Sequence, residues 1–164
     1  MDYVRAESHD LILIQGVVLK KLETHSDERG FFLEIVRATD DFFREGFGQW
    51  SHSRMGAGVI KAWHLHKIQT DYFYVASGIL QVGLYDMRRD SLTFKKTMSF
   101  LMGDRQPPMV LKIPPGVAHG CKTVQGPVHL IYLTSHVYNP DDELRIPHDD
   151  PEIGFDWLAG PRIS

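Results

Sequence analysis

From residue 49 onward the chain is a succession of short β-branched and aromatic stretches separated by glycine and proline. They run roughly over Gln49–Arg54, Val59–Leu65, Asp71–Ser77, Ile79–Asp86, Thr93–Leu101, Met109–Ile113, His119–Thr123 and Val128–Ser135. Short strands at this spacing predict an antiparallel all-β sandwich or barrel. Upstream, Leu11–Gln15 and Val17–Leu22 are strand candidates split by Gly16, Ser26–Gly30 is a turn signal, and Phe31–Arg37 reads as strand. Thr39–Glu45 reads as a short helix capped by Thr39 or Asp40 and ended by Gly46. The Pro- and Asp-rich stretch Asn139–Ser164 is expected to be irregular. At 164 residues, with 43% hydrophobic and 24% charged, the chain is expected to form one domain over 1–164 with an ordinary core.

A net charge of −3 argues against nucleic acid as a partner, because phosphate binding requires a clustered positive face. Cys121 is the sole cysteine and has no internal disulfide partner, which fits a reducing compartment. The apolar run Leu11–Ile14 is too short for a signal sequence or a membrane span. Together these features predict a cytoplasmic protein that does not bind membranes.

Between Gly58 and Gly78 lie His64, His66 and Asp71. Strict alternation puts His64 and His66 on one face with Ile60 and Ala62, and Lys61 and Trp63 on the other. Two imidazoles on an inward face need solvent, hydrogen-bond partners or a ligand. The spacing G-x5-H-x-H-x4-D-x6-G resembles the first cupin motif, with Asp71 where Glu is usual, and Pro114–His119 resembles the core of the second. Three imidazoles and a carboxylate, His64, His66, His119 and Asp71, have the chemistry of a transition-metal site.

A longer resemblance runs through residues 15–157. Asp27–Glu34 reads DERGFFLE, Gly58–His64 reads GVIKAWH, Asp86–Phe94 reads DMRRDSLTF, and Ile113–Gly120 reads IPPGVAHG. Tyr132, Tyr138, Pro140 and Glu143 keep the spacing Y-x5-Y-x-P-x2-E, and Asp150–Trp157 reads DPEIGFDW. In order and spacing these segments resemble the dTDP-4-dehydrorhamnose 3,5-epimerase family. The resemblance implies a cupin-type double-stranded β-helix (jelly roll) that acts on a nucleoside-diphosphate 4-keto sugar without metal or other cofactor. It implies a homodimer, in which the strands within about 1–26 are exchanged between subunits. His64 matches the family's base and Tyr132 its acid. Arg29, Glu34, Gln49, Lys61, His66, Asp71 and His119 match substrate-binding positions, with Arg29 and Lys61 facing the diphosphate.

The chain also departs from the family pattern. Asp71 stands where the family carries lysine, Val82 where it carries aspartate, His66 for glutamine, Lys61 for arginine and Ser51 for asparagine. The family's C-terminal aspartate, which orients the base, has no counterpart, so His64 needs another orienter, and Asp71 is the candidate. Three functions are compatible with this pattern. The leading one is an isomerase that epimerises a nucleotide-linked 4-keto-6-deoxy or related keto sugar for carbohydrate or polysaccharide biosynthesis. The others are a metal-dependent cupin enzyme using His64, His66, Asp71 and His119, and a nucleotide-sugar-binding cupin without catalysis.

Overall fold

The computed structural model describes residues 14–159. Most of the strand candidate at 11–15, and the N-terminal part of the segment expected to exchange between subunits, lie outside the described residues. Among the described residues, helix is limited to a single 3-10 turn, Asp41–Phe43. The helix expected over 39–45 shrinks to this turn because its cap is taken: the Asp40 carboxylate accepts from Lys20 Nζ at 2.5 Å and from the Arg37 amide at 2.9 Å. Among the described residues no helix is long and apolar enough to cross a membrane.

Two long strands form the frame. β6 (Asp71–Asp86) and β9 (Val117–Thr134) pair antiparallel from Asp71 opposite Thr134 to Asp86 opposite Val117. The breaks expected at Gly78 and near Gly126 are bends within these strands. Gly78 has φ +79°, and a Cβ there would meet the Pro127 carbonyl oxygen at 2.6 Å, so only glycine passes. The pairing register shifts around this point. Each bend splits its strand between two sheets. In the first sheet, β1 (Val18–Lys21), β8 (Met109–Ile113), the start of β6, the end of β9 and β4 (Gln49–Met55) lie side by side. In the second, β7 (Thr97–Gly103), the end of β6, the start of β9, β5 (Ile60–His66) and β10 (Glu143–Arg145) do so. Phe73, Val75, Leu111 and Leu130 from the first sheet pack with Leu80, Val82, Leu84 and Cys121 from the second in one buried cluster. The result is the cupin-like jelly roll that the resemblance implies.

Other sequence expectations shift. Phe31–Arg37 is strand only at its start: β3 (Gly30–Phe32) forms a separate hairpin with β2 (His25–Asp27). Leu33, Ile35 and Val36 instead lie unpaired against Tyr72 and Val110 on the outer face of the first sheet. The strand expected at Thr93 begins at Thr97, because Ser91 and Thr93 turn back to bond Asp86.

The C-terminal stretch is also more ordered than expected. β10 adds to the edge of β5, with Glu143 opposite His66 and Arg145 opposite His64. Beyond it, Ile153, Phe155 and Trp157 close over Trp63, whose side chain is fully buried. The rings of Trp63 and Trp157 lie 5.0 Å apart and those of Trp63 and Phe155 5.4 Å apart. Such contact demands glycine beneath it: a Cβ on Gly120 would lie 2.5 Å from the Ala62 Cβ, and one on Gly83 would lie 2.8 Å from the Trp157 ring.

Asp86 ends β6 fully buried and accepts hydrogen bonds from the Arg88 guanidinium, Ser91 Oγ at 2.5 Å and Thr93 Oγ1 at 2.6 Å. Burial works to raise its pKa, and these donors overturn that, holding the carboxyl far below its ordinary range. A depressed carboxyl pKa stabilises the fold in full above the unfolded value of about 3.9, and this contribution shrinks as pH falls below that value and is gone only below the depressed folded one. Asp86→Ala is therefore expected to cost about 3 kcal/mol at pH 7, with a smaller difference from wild type in urea unfolding below about pH 4. A difference under about 1 kcal/mol, or one that stays constant with pH, would show that the carboxylate is not what holds this corner.

Candidate active site

The two sheets enclose a cavity of about 150 Å3. β5 contributes Lys61, His64 and His66, the start of β6 contributes Asp71 and Phe73, and β9 contributes His119 and Tyr132. The presence of His64 and His66 on one face follows from strand alternation, but that of Lys61 does not. Between Lys61 and His64 the pairing of β5 with β9 shifts register. This shift turns Lys61 into the cavity, where its Nζ donates to Ser53 Oγ at 2.9 Å. Ile60 and Ala62, expected beside His64, pack instead with Trp63 on the opposite side.

His64 is partly exposed at the cavity, and its Nδ1 stands 4.0 Å from Glu143 Oε1. Burial pushes its pKa below the ordinary imidazole value. His119 adds to that effect and Glu143 opposes it. A neutral imidazole beside a carboxylate has the form of a proton acceptor. The expectation that Asp71 orients His64 is not met, because Asp71 is committed elsewhere; Glu143 is the nearer carboxylate. Its position at the end of the Tyr132–Glu143 motif was the available signal, hidden by the expectation of an irregular C-terminal stretch.

Asp71 lies deeper, buried among imidazoles. Its Oδ2 is 3.3 Å from His119 Nε2 and 3.8 Å from His66 Nε2, and its Oδ1 accepts from Gln69 Nε2 at 2.7 Å. Burial raises its pKa, but His119, His66 and Gln69 outweigh this and leave the carboxyl below its ordinary value. His66 is held below the ordinary imidazole value, first by burial, against the opposing pull of Asp71. Asp142 stands behind His66, with Oδ2 3.5 Å from Nδ1, and its carboxylate accepts the backbone N–H groups of Lys67, Ile68 and Gln69. Neither Gln69 nor Asp142 carried a spacing signal that singled it out. Cys121, also in the wall, has its thiol pushed up to about 11 by burial and is no nucleophile near neutral pH.

Three candidate residues lie away from this cavity. Arg29 projects from the β2–β3 hairpin and pairs with Asp27. Glu34 is exposed and pairs with Arg37. Gln49, at the start of β4, donates to Ser51 Oγ at 2.9 Å and accepts from the Tyr138 amide at 3.1 Å. Outside the first sheet, Trp50, 68% exposed, lies with Ile35, Tyr74 and Ile131 around a second, apolar depression of about 330 Å3.

This architecture has close counterparts. A crystal structure of a dTDP sugar isomerase from Desulfovibrio desulfuricans superposes with a TM-score of 0.83 at 29% identity, covering 92% of this chain and 97% of that one. The Mycobacterium tuberculosis rmlC epimerase superposes with a TM-score of 0.81 at 30% identity, covering 93% and 82%. The Bacillus subtilis spore coat polysaccharide biosynthesis protein SpsL is 50% identical over 148 residues, 88% of this chain and 97% of its own length. The family model for dTDP-4-dehydrorhamnose 3,5-epimerase matches residues 12–164. The chain belongs to the dTDP-4-dehydrorhamnose 3,5-epimerase family.

Proposed function

We propose that the chain epimerises a nucleotide-linked 4-keto sugar at a carbon beside the carbonyl, and that it does so in carbohydrate or polysaccharide biosynthesis. The supporting observation is that His64 and Tyr132 reach the same cavity from different sheets. The names of the relatives point the same way: an isomerase of a dTDP sugar, an epimerase and a spore coat polysaccharide protein.

The carbonyl acidifies the neighbouring C–H. His64 takes that proton and the C–H electron pair moves onto the carbonyl oxygen as an enolate. The Tyr132 hydroxyl returns a proton to the opposite face of the same carbon, the electron pair flows back, and the C=O re-forms with inverted configuration. The His64 imidazolium then gives up its proton to solvent and the Tyr132 phenolate takes one from solvent, which restores both groups. Lys61, at the cavity wall, supplies positive charge toward the diphosphate. About 150 Å3 is small beside the ~300–1,000 Å3 of typical ligand pockets, so the sugar ring occupies the cavity and the nucleotide lies outside its mouth.

The functional unit in this proposal is a homodimer. Its support is the apolar outer face of the first sheet, where Trp50, Tyr74 and Ile131 surround an open depression. Arg29 and Glu34, exposed beside that face, serve the diphosphate and sugar through the assembled dimer.

Incubated with a dTDP-4-keto-6-deoxyhexose in deuterated water, the protein is expected to place deuterium at C3, C5 or both. Tyr132→Phe and His64→Asn should lower turnover by roughly 10²–10⁴-fold, the usual contribution of a positioned acid or base. If wild type exchanges nothing across several nucleotide sugars, or if Tyr132→Phe turns over like wild type, the mechanism is wrong. Light scattering on a sizing column should give twice the chain mass for wild type and the single-chain mass for Trp50→Glu. A monomeric wild type would refute the dimer.

A further inference from the structure

With both rings neutral, the hydrogen bonds around Asp71, His66 and His119 place no proton at the centre of the cluster. Gln69 presents its side-chain nitrogen to Asp71 Oδ1 at 2.7 Å. Two oxygens at that distance would repel, so the amide orientation is settled. The same NH2 group lies 3.3 Å from His66 Nε2, which makes that nitrogen an acceptor with a lone pair. The His66 proton then belongs on Nδ1, whose nearest acceptor is the Asp142 carboxylate at 3.5 Å. His119 Nδ1 lies 3.2 Å from the Val117 carbonyl oxygen, which can only accept, so it carries the proton of the neutral ring and leaves a lone pair on Nε2. Two imidazole lone pairs and a carboxylate oxygen therefore meet, on side chains at least nine-tenths buried. The ligand atoms of the three residues lie within 4.8 Å of one another.

Such a cluster needs a positive centre. We propose that His66 Nε2, His119 Nε2 and Asp71 Oδ2 bind a first-row divalent transition-metal ion, with its remaining coordination positions open to the cavity that holds His64 and Tyr132. The donor atoms stand close to coordination distance. Metal–ligand bonds of about 2.1 Å at tetrahedral or octahedral angles place donor atoms about 3.0–3.4 Å apart; Asp71 Oδ2 and His119 Nε2 meet this at 3.3 Å, and His66 Nε2, at 3.8 Å, moves inward when the ion binds. The surroundings suit it too: the Val117 carbonyl bonds His119 Nδ1 and Gln69 bonds Asp71 Oδ1, as partners behind metal-binding side chains do, and Asp142 Oδ2 faces His66 Nδ1 at 3.5 Å, outside hydrogen-bond geometry. Two imidazoles and one carboxylate favour iron, zinc, cobalt or nickel over magnesium or calcium.

The site differs both from the metal-free family pattern and from the four-residue metal set suggested by sequence spacing. His64 stands outside it, 4.0 Å from Glu143, and remains a base. The binding site stands on its own geometry. The role of the ion rests on the epimerase reading: it would supply positive charge for the oxyanion where the ionised Asp71 alone would oppose it.

Tag-free protein stripped with a chelator and dialysed is titrated with Co2+ without substrate, which separates this test from the exchange assay. The expected result is saturation at one ion per chain, with visible d–d absorption and two paramagnetically shifted, exchangeable imidazole N–H resonances from Nδ1 of His66 and His119. His66→Gln and Asp71→Asn, checked for folding by circular dichroism, should each weaken binding at least 100-fold. Asp142→Asn should weaken it by roughly 10-fold, as outer partners do. If folded wild type takes up no Co2+, or binds it without shifted imidazole protons, a shared proton occupies the cluster and the metal site is refuted. Co2+ binding with no deuterium exchange would leave the site standing and remove the epimerase reading.

Discussion

The antiparallel pairing of β6 with β9 is the constraint on which the rest depends. Both strands bend, so each belongs to two sheets, and the cavity is the space between their halves. Asp71 and Tyr132 enter it from the first sheet, and His119 from the second. A slip of β9 by one residue in this register would turn Tyr132 and His119 outward, and the same slip of β6 would turn out Asp71. Backbone hydrogen bonding and a continuous apolar core between the sheets oppose that slip. The polar cluster is therefore carried on the most heavily paired backbone in the molecule, which suits groups that must be held still.

β5 is positioned differently. It lies beside β9, with Trp63 buried on one side and Lys61, His64 and His66 on the other. The aromatic cluster of Trp63, Phe155 and Trp157 fits against β6 and β9 only because Gly83 and Gly120 carry no side chain. Bulk on the outside of β5 and its absence on the strands beneath together set how deep the two histidines sit. This is packing in the service of chemistry: the tryptophans fix the strand that bears the candidate catalytic groups.

Much of this was legible from the residues. The all-β class followed from Gly/Pro punctuation, and the family followed from motifs in order. Strand alternation put His64 and His66 on one face. Other features were not legible, for physical reasons. Glycine marks both a chain break and a bend in a continuous strand, so Gly78 was read as the former. Alternation assumes an unbroken ladder, and the register shift after Lys61 violates it. A Pro- and Asp-rich segment looks irregular, yet Glu143–Arg145 needs only an open strand edge to pair with. Asp40 has the composition of a helix cap, but Lys20, distant in sequence, claims its carboxylate. Each of these outcomes is decided by a partner far along the chain.

The docking of β10 and the aromatic segment onto β5 has a temporal consequence. The paired framework of β6 and β9 is complete once residue 134 is made, but the carboxylate beside His64 and the cover over Trp63 come from residues 143–157. On the ribosome, the barrel can close well before its centre is finished. A nascent or prematurely terminated chain lacking this segment would carry the histidines without Glu143 and with the Trp63 indole bare to water. The side chains that flank the histidines are thus set in place last, after the frame that carries them.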